Sequence, residues 1–279
     1  MTAFLKMHGL GNDFVVFDGR KTGIRPEPAL ARAIADRRQG VGCDQVIVIE
    51  PARGGADAAM RILNADGSEV ESCGNAARCV ARLLMEEKDA SSVRIETPGG
   101  PLLCTDAGRD NVTVDMGTPR FGWREIPLDQ SVDTNGFPLT VGGATFTASA
   151  VSVGNPHCVL FMDDAEKADV AGLGPAIERH PLFPARTNVE FVSVLSPSRL
   201  RMRVWERGAG ITRACGTGAC AAAVAAHRRG LAERRTDIVL DGGTLAIEWR
   251  ERDDHILMTG PSALSFVGDI DLGALEARA

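Results

Sequence analysis

No window of this sequence approaches the roughly 18–20 consecutive apolar residues of a membrane-spanning helix. Its opening residues, Met1 to Lys6, lack the charged start and apolar run of a secretory signal. There is no excess of basic charge: 31 Lys and Arg stand against 37 Asp and Glu, a formal net charge of −6, which argues against a general nucleic-acid binder and gives no membrane-surface signal. Lysine is scarce. Lys6, Lys21, Lys88 and Lys167 are the whole set, none in a glycine-rich setting, so the Schiff-base lysine of a pyridoxal enzyme has no good candidate. No Cys-x-x-Cys pair occurs, and the seven cysteines, Cys43, Cys73, Cys79, Cys104, Cys158, Cys215 and Cys220, are odd in number and irregularly spaced. That pattern excludes the usual zinc sets and a secreted disulfide framework, and it fits a cytoplasmic protein with reduced thiols. There is also no low-complexity linker.

What is present is a chain of 279 residues, 44% apolar, long enough for about two domains with their own cores. It also repeats itself. At an offset of 142 residues, Met60-Arg61-Ile62-Leu63-Asn64 lies over Met202-Arg203-Val204-Trp205-Glu206, and Cys73-Gly74-Asn75-Ala76-Ala77 over Cys215-Gly216-Thr217-Gly218-Ala219. At 143, Gly11-Asn12 matches Gly154-Asn155, Gln45-Val46 matches Asn188-Val189, and Leu30–Ile34 matches Leu173–Ile177. A nearly constant offset of half the chain predicts a duplicated domain, not a solenoid of short units.

The elements fit a duplicated α+β unit. Strands are predicted at Asp13–Asp18, Val46–Glu50, His157–Met162, Val189–Leu195 and Leu200–Glu206, which are rich in β-formers. A first helix is predicted over Pro28–Arg38, with proline early and apolar residues along one face. The strongest helices, Gly74–Lys88 and Gly216–Arg229, follow two of the cysteines. Pro98 to Pro101, Gly142-Gly143 and Asp241-Gly242-Gly243 read as turns between strands.

A thiol opening a helix feels the positive end of the helix dipole and unpaired backbone N–H groups, both of which favour thiolate. The same N–H groups can hold a carboxylate, with glycine allowing close approach. Two such elements, one per half, suit inversion at the α-carbon of an amino acid: one thiolate removes a proton from one face while the other thiol donates to the opposite face. Negative charge developing on the carboxylate is stabilised by the preorganised donors. On this reading Cys73 and Cys215 do the chemistry, and the other five cysteines are inert core residues.

At these segments the sequence closely resembles the diaminopimelate epimerases. The stretches that carry the likeness are Met7 to Phe14, Gly42-Cys43-Asp44-Gln45, Asn64 to Glu69, Cys73 to Cys79, Gly154-Asn155-Pro156-His157, Asn188 to Val192, Glu206 to Gly210 and Ala214 to Cys220. The resemblance implies a cofactor-independent isomerase, with no metal, that interconverts LL- and meso-2,6-diaminopimelate on the route to lysine and peptidoglycan. It implies an α+β fold of two pseudo-symmetric domains, each a barrel-like, mostly antiparallel sheet around a central helix, with the site in the cleft between them. The N-terminal domain would be residues 1–117 plus 262–279, carrying Cys73, and the C-terminal domain residues 118–261, carrying Cys215. Cys73 and Cys215 become the paired acid and base, with His157 and Glu206 assisting their proton transfer. Gly74, Asn75, Gly216 and Thr217 would hold the reacting carboxylate. Asn12, Gln45, Asn64, Asn155, Asn188, Glu206 and Arg207 would line the substrate site, Arg207 gripping a carboxylate in two places. The expected partners are the small-molecule substrate and a second copy in a homodimer, without nucleic acid or membrane.

Three positions depart from the family pattern. Ile211 stands where glutamate is usual, Ala76 where glycine is usual, and Phe266 where a tyrosine often makes dimer contacts. With no tyrosine anywhere in the chain, a contact at Phe266 has no hydroxyl. Alternatives are a proline racemase, which also uses two cysteines but whose ring substrate has no distal amino acid group to engage Asn64, Asn188 and Arg207, an inactive amino-acid-binding protein, and a thiol pair that oxidises to a disulfide.

Overall fold

The strands form where β-branched and large apolar residues alternate or run continuously, and the order in which they pair puts a helix on each face of a curved sheet. The computed structural model describes residues 1–71 and 73–276. Its contacts divide the chain into two units, Met1–Val114 with Gly260–Ala279, and Asp115–Thr259.

In the first unit Ala263–Ile270 pairs antiparallel with Thr2–Gly9, which pairs antiparallel with Asn12–Asp18. The order continues through Gln45–Glu50 (parallel), Ala58–Asn64 (antiparallel), Ser92–Thr97 (parallel), Gly100–Asp106 and Asn111–Asp115 (both antiparallel). Each parallel pair needs a crossover connection, and each crossover is a helix. Pro28–Ala35 bridges the first, packing Leu30, Ala31, Ile34 and Ala35 against Phe4, Val15, Phe17, Val46 and Leu63. Gly74–Lys88 bridges the second. It touches Thr2–Gly9 as well as Ser92–Thr97 and Gly100–Asp106, strands far apart in the pairing order, so the sheet curls round it. Eight successive residues, Gly74 to Ala81, are buried there.

The second unit repeats this order. Phe137–Val141, Ala144–Ser152 and Pro156–Phe161 are antiparallel neighbours in that sequence. Pro156–Phe161 pairs parallel with Asn188–Ser196, which pairs antiparallel with Arg199–Glu206. Arg199–Glu206 pairs parallel with Arg235–Leu240, followed antiparallel by Gly243–Trp249 and Ile256–Pro261. Val170–Glu178 and Gly216–Arg228 are the crossovers. The second is sheathed by six strands, and its alanines give the closeness of approach that the sequence promised. Val170–Glu178 lies on the outer face, where Gly174 meets Trp205 so closely that a Cβ would fall 2.5 Å from the ring.

Register repeats too: Phe14 stands opposite Gln45 as His157 stands opposite Asn188, and Val16 opposite Ile47 as Val159 opposite Glu190. The fold is therefore α+β, two related units, each a mostly antiparallel, barrel-like sheet around a central helix. One helix is shorter than the pattern predicts. Pro28–Ala35 stops three residues before Arg38 because Asp36 turns extended, and its carboxylate accepts from the Arg38 and Gln39 N–H groups in place of another helical turn. Among the described residues no helix is long and apolar enough to cross a membrane.

Candidate active site

In each unit the central helix opens on a cysteine in extended conformation, Cys73 at φ −148°, ψ 106° and Cys215 at φ −107°, ψ 111°. In the first unit, Asn12 opens the second strand, directly after the Leu10-Gly11 turn. Its Nδ2 donates to Asp44 Oδ2 at 2.9 Å, which leaves Oδ1 facing the helix start. There Oδ1 accepts from Asn75 Nδ2 at 3.1 Å and lies 4.0 Å from Cys73 Sγ. Asp44 is held in turn by Arg37 at 2.8 Å, and Arg37 also grips Asp13 at 2.7 and 3.0 Å. Lys6 completes the cluster, bonded to Asp13 at 2.5 Å and to the Gly42 carbonyl. Burial pushes the Asp13 carboxyl up, but the Arg37 and Lys6 hydrogen bonds outweigh it and hold the group down at about 2. On the adjoining strands, Gln45 Nε2 donates to Asn64 Oδ1 at 3.0 Å and Asn64 Nδ2 to Ser68 Oγ at 3.0 Å, while Gln45 Oε1 is buried without a hydrogen-bond partner among the described residues.

The second unit places ionisable side chains beside its cysteine where the first places amides. Cys215 Sγ accepts from the Gly218 N–H at 3.3 Å and lies 3.6 Å from Thr217 Oγ1. Thr217 Oγ1 accepts from Asn155 Nδ2 at 3.4 Å, and Asn155 Oδ1 meets His157 Nε2 at 2.9 Å. His157 Nδ1 is 2.7 Å from Glu190 Oε1, and both side chains are fully buried. Glu206 bonds to the Thr212 hydroxyl and to the Cys215 thiol. Burial raises the Glu206 carboxyl above its ordinary range.

Cys215 reverses one expectation. Its helix position does supply the Gly218 and Thr217 contacts that favour thiolate, but burial dominates, the Glu206 and Glu190 charges add to it, and the thiol is pushed well above its usual value. Cys215 therefore rests as the proton-bearing thiol. Cys73 is less buried. The remaining five cysteines are buried core residues; burial pushes Cys43 and Cys79 up to about 12 and Cys158 well above its usual value.

Asn188 and Arg207 come together through the backbone. Asn188 Oδ1 accepts from the Arg207 N–H at 2.9 Å and its Nδ2 donates to the Pro156 carbonyl at 3.0 Å, so this amide fixes the turn after Glu206. The Arg207 side chain is exposed and touches the Ala185 carbonyl at 3.2 Å. Gly74, Asn75 and Gly216 are buried at the helix starts and Thr217 is half-buried. Phe266 stands apart on Ala263–Ile270, half exposed, its ring edge-on to Phe4 at 6.1 Å. Ile211 is exposed and Ala76 is buried in the first turn of its helix. Three residues that hold the site were not singled out from the sequence: Asp44 behind Asn12, Glu178, which takes the Trp205 indole and the Gly208 N–H, and Glu190 behind His157. Asp44 and Glu190 lie inside stretches that carry the resemblance, and strand alternation points Glu190 to the interior. Among the described residues no three His, Cys, Asp or Glu side chains are grouped to hold a metal ion.

The family model described as diaminopimelate epimerase matches residues 4–122 and 149–265. The chain belongs to the diaminopimelate epimerase family. Among its relatives in that family, the diaminopimelate epimerase of Rhodospirillum centenum is 55% identical over 268 residues, 96% of this chain and 91% of the relative. That of Acidiphilium cryptum is 53% identical over 272 residues, covering 98% and 97%. Solved structures share the family's fold at low identity. A hydroxyproline epimerase from Agrobacterium vitis superposes with TM-score 0.69 at 19% identity, covering 96% of this chain and 91% of that one. A probable proline racemase from Agrobacterium radiobacter K84 gives 0.68 at 19%, covering 98% and 93%.

Proposed function

We propose that this protein interconverts LL- and meso-2,6-diaminopimelate in the cytoplasm, serving lysine and peptidoglycan synthesis, without a cofactor. Cys73 and Cys215 are its acid and base, exchanging roles with the direction of reaction. The observation that carries the reading is the pair of matched helix starts, each opened by a cysteine and each backed by an asparagine, Asn12 or Asn155.

The chemistry follows from the two surroundings. A thiol that rests protonated is ready to donate, so Cys215 serves as acid in the direction in which Cys73 abstracts the α-proton. Proton transfer by a positioned side chain contributes about 10²–10⁴-fold. The N–H groups of Gly74, Asn75, Gly216 and Thr217 receive the reacting carboxylate and the charge that spreads to it. Glu206, close to Cys215 and raised by burial, accepts or returns that thiol's proton, and His157 orients Asn155 beside it. Gln45, Asn64, Asn188 and Arg207 engage the distal amino acid end. A second copy packs against Ala263–Ile270, whose Leu264, Phe266 and Val267 are exposed apolar residues at 53%, 50% and 67%.

The test is solvent-deuterium incorporation at the α-carbon of LL- and meso-diaminopimelate, with reductant and no added cofactor. Both isomers are expected to exchange and interconvert, and Cys73→Ala and Cys215→Ala each to lower inversion by about 10³-fold or more. Folded, reduced protein that binds diaminopimelate without exchange would leave an amino-acid-binding protein in place of an epimerase.

A further inference from the structure

Resting on the reading of Arg207 as a group that grips the distal end of the substrate, we propose that Glu178 is a positioning residue: by accepting hydrogen bonds on both sides of the Glu206-Arg207 pair, it holds the turn from which Arg207 meets the distal carboxylate.

Glu178 is the last residue of Val170–Glu178, and its side chain is buried. Its Oε2 accepts from the Trp205 indole N–H at 2.7 Å and its Oε1 from the Gly208 backbone N–H at 3.1 Å. Both partners can only donate, so both carboxyl oxygens are fixed as acceptors. Arg186 Nη1 lies 3.7 Å from Oε1 and supplies the opposite charge. The carboxylate thus reaches from the residue before Glu206 to the residue after Arg207, and Asn188 Oδ1 takes the Arg207 N–H between them at 2.9 Å. The turn needs such holding. Gly208 and Gly210 both lie in the left-handed region, at φ 77° and 83°, and glycine restricts its own backbone least. A guanidinium meets a carboxylate in two places only from a fixed geometry, so freedom in this backbone is lost grip.

The fold itself does not ask for a carboxylate here. At an offset of 143, Glu178 falls on Ala35, the last residue of Pro28–Ala35, and Gly174 falls on Ala31. At 142, Trp205 falls on Leu63 and Arg207 on Ala65. Ala31, Ala35 and Leu63 belong to one buried apolar cluster, which fills the place with no polar group. In the second unit glycine replaces the alanine and leaves room for the indole, whose ring would otherwise be struck by a Cβ at Gly174. A buried carboxylate is costly unless its hydrogen bonds are made. It stands in the unit whose turn carries an arginine, and alanine stands in the unit whose turn carries an alanine.

The test is a cycle of variants read by diaminopimelate binding. The triple change Gly174→Ala, Glu178→Ala and Trp205→Leu gives this place the first unit's side chains. Glu178→Gln keeps the size but sets an amide N–H against one of the two donors. Both proteins are expected to be folded in thermal unfolding and to show faster hydrogen exchange at the Arg207 and Gly208 amides. Kd for LL-diaminopimelate, from titration calorimetry, should rise about tenfold or more in the triple variant and about fivefold in Glu178→Gln. In an Arg207→Ala background the same changes should raise Kd by less than about twofold, because the residue through which they act is gone. Equal rises with and without Arg207 would make Glu178 a structural group only and overturn the proposal. Native amide exchange in the folded variants, or a native Kd in Arg207→Ala, would overturn it too. Should the triple variant not fold, Glu178→Gln decides by the same cycle. Binding does not depend on turnover, so failure of the epimerase reading, seen as a native chain that binds diaminopimelate without inverting it, is read separately.

Discussion

The two helix starts share a backbone and a cysteine and differ in the side chains packed behind it. In the first unit Asn12 bonds to Asn75 and Gln45 to Asn64, the Lys6, Asp13, Arg37 and Asp44 cluster braces Asn12, and Arg78 is fully buried in the helix that Cys73 opens. Around Cys215 stand Glu206, His157 and Glu190. By register and offset, Asn64 corresponds to Glu206, Phe14 to His157 and Ile47 to Glu190. Duplication thus supplied two equivalent places for a thiol, and three substitutions made one of them able to store and move a proton. On the proposed mechanism, a reaction symmetric in its two cysteines is served by units that are not.

That comparison can be broken most directly by making the halves alike. Replacing His157 with Phe and Glu190 with Ile gives the second unit the first unit's apolar pair. The double variant should fold with stability equal to or above the native chain, because well-packed apolar residues often match or improve on a buried ionisable pair. Epimerisation should fall by about 10²-fold in kcat/KM. Loss of the fold in thermal unfolding, or native turnover, would show that the asymmetry is structural.

The next effect is in stability and belongs to the first unit alone. Asp13 is held at about 2 against an ordinary 3.8, so the folded state favours its ionised form. Its contribution, about 2 kcal/mol, is present above pH 4 and lost as pH falls from about 4 to 2. Asp13→Asn should show little of that dependence, and hydrogen exchange should find the acid loss concentrated in strands Thr2–Gly9 and Asn12–Asp18. An unchanged acid profile in Asp13→Asn would remove the cluster's role.

The smallest effect concerns the Cys215 thiol. Burial is the largest cause of its raised value and the Glu206 charge the next. Glu206→Gln should therefore move the pH profile of Cys215 alkylation, followed by mass spectrometry in a Cys73→Ala background, downward. An unmoved profile would remove the Glu206 charge as a cause of the raised thiol.

The sequence carried much of this. The repeat offset, the cysteine at each helix start and the run of alanines after Cys215 are local patterns, and the helices Gly74–Lys88 and Gly216–Arg228 and the five predicted strands appear within a residue or two of where the sequence put them. The end of Pro28–Ala35 was not legible, because an aspartate's choice between helix and turn depends on which backbone N–H it meets. Asn12, Asn155 and His157 were reached through the family resemblance; Asp44 in its bend and Glu178 in its helix were not legible, since a carboxylate there looks the same whether it faces solvent or holds a neighbour, and only strand alternation pointed Glu190 inward. Arg207 was readable as a charged residue near the site, but not the Asn188 amide that fixes its backbone.

What the sequence determined by itself is the family, the doubled α+β architecture and the two thiols, because periodicity, spacing and a helix start are short-range properties of the chain. The state of the Cys215 thiol was decided by tertiary structure. A helix start alone predicts a lowered Cys215, yet the strands wrapped around Gly216–Arg228 exclude water from the sulfur and bring Glu206 and Glu190 beside it, and desolvation with like charge outweighs the helix dipole.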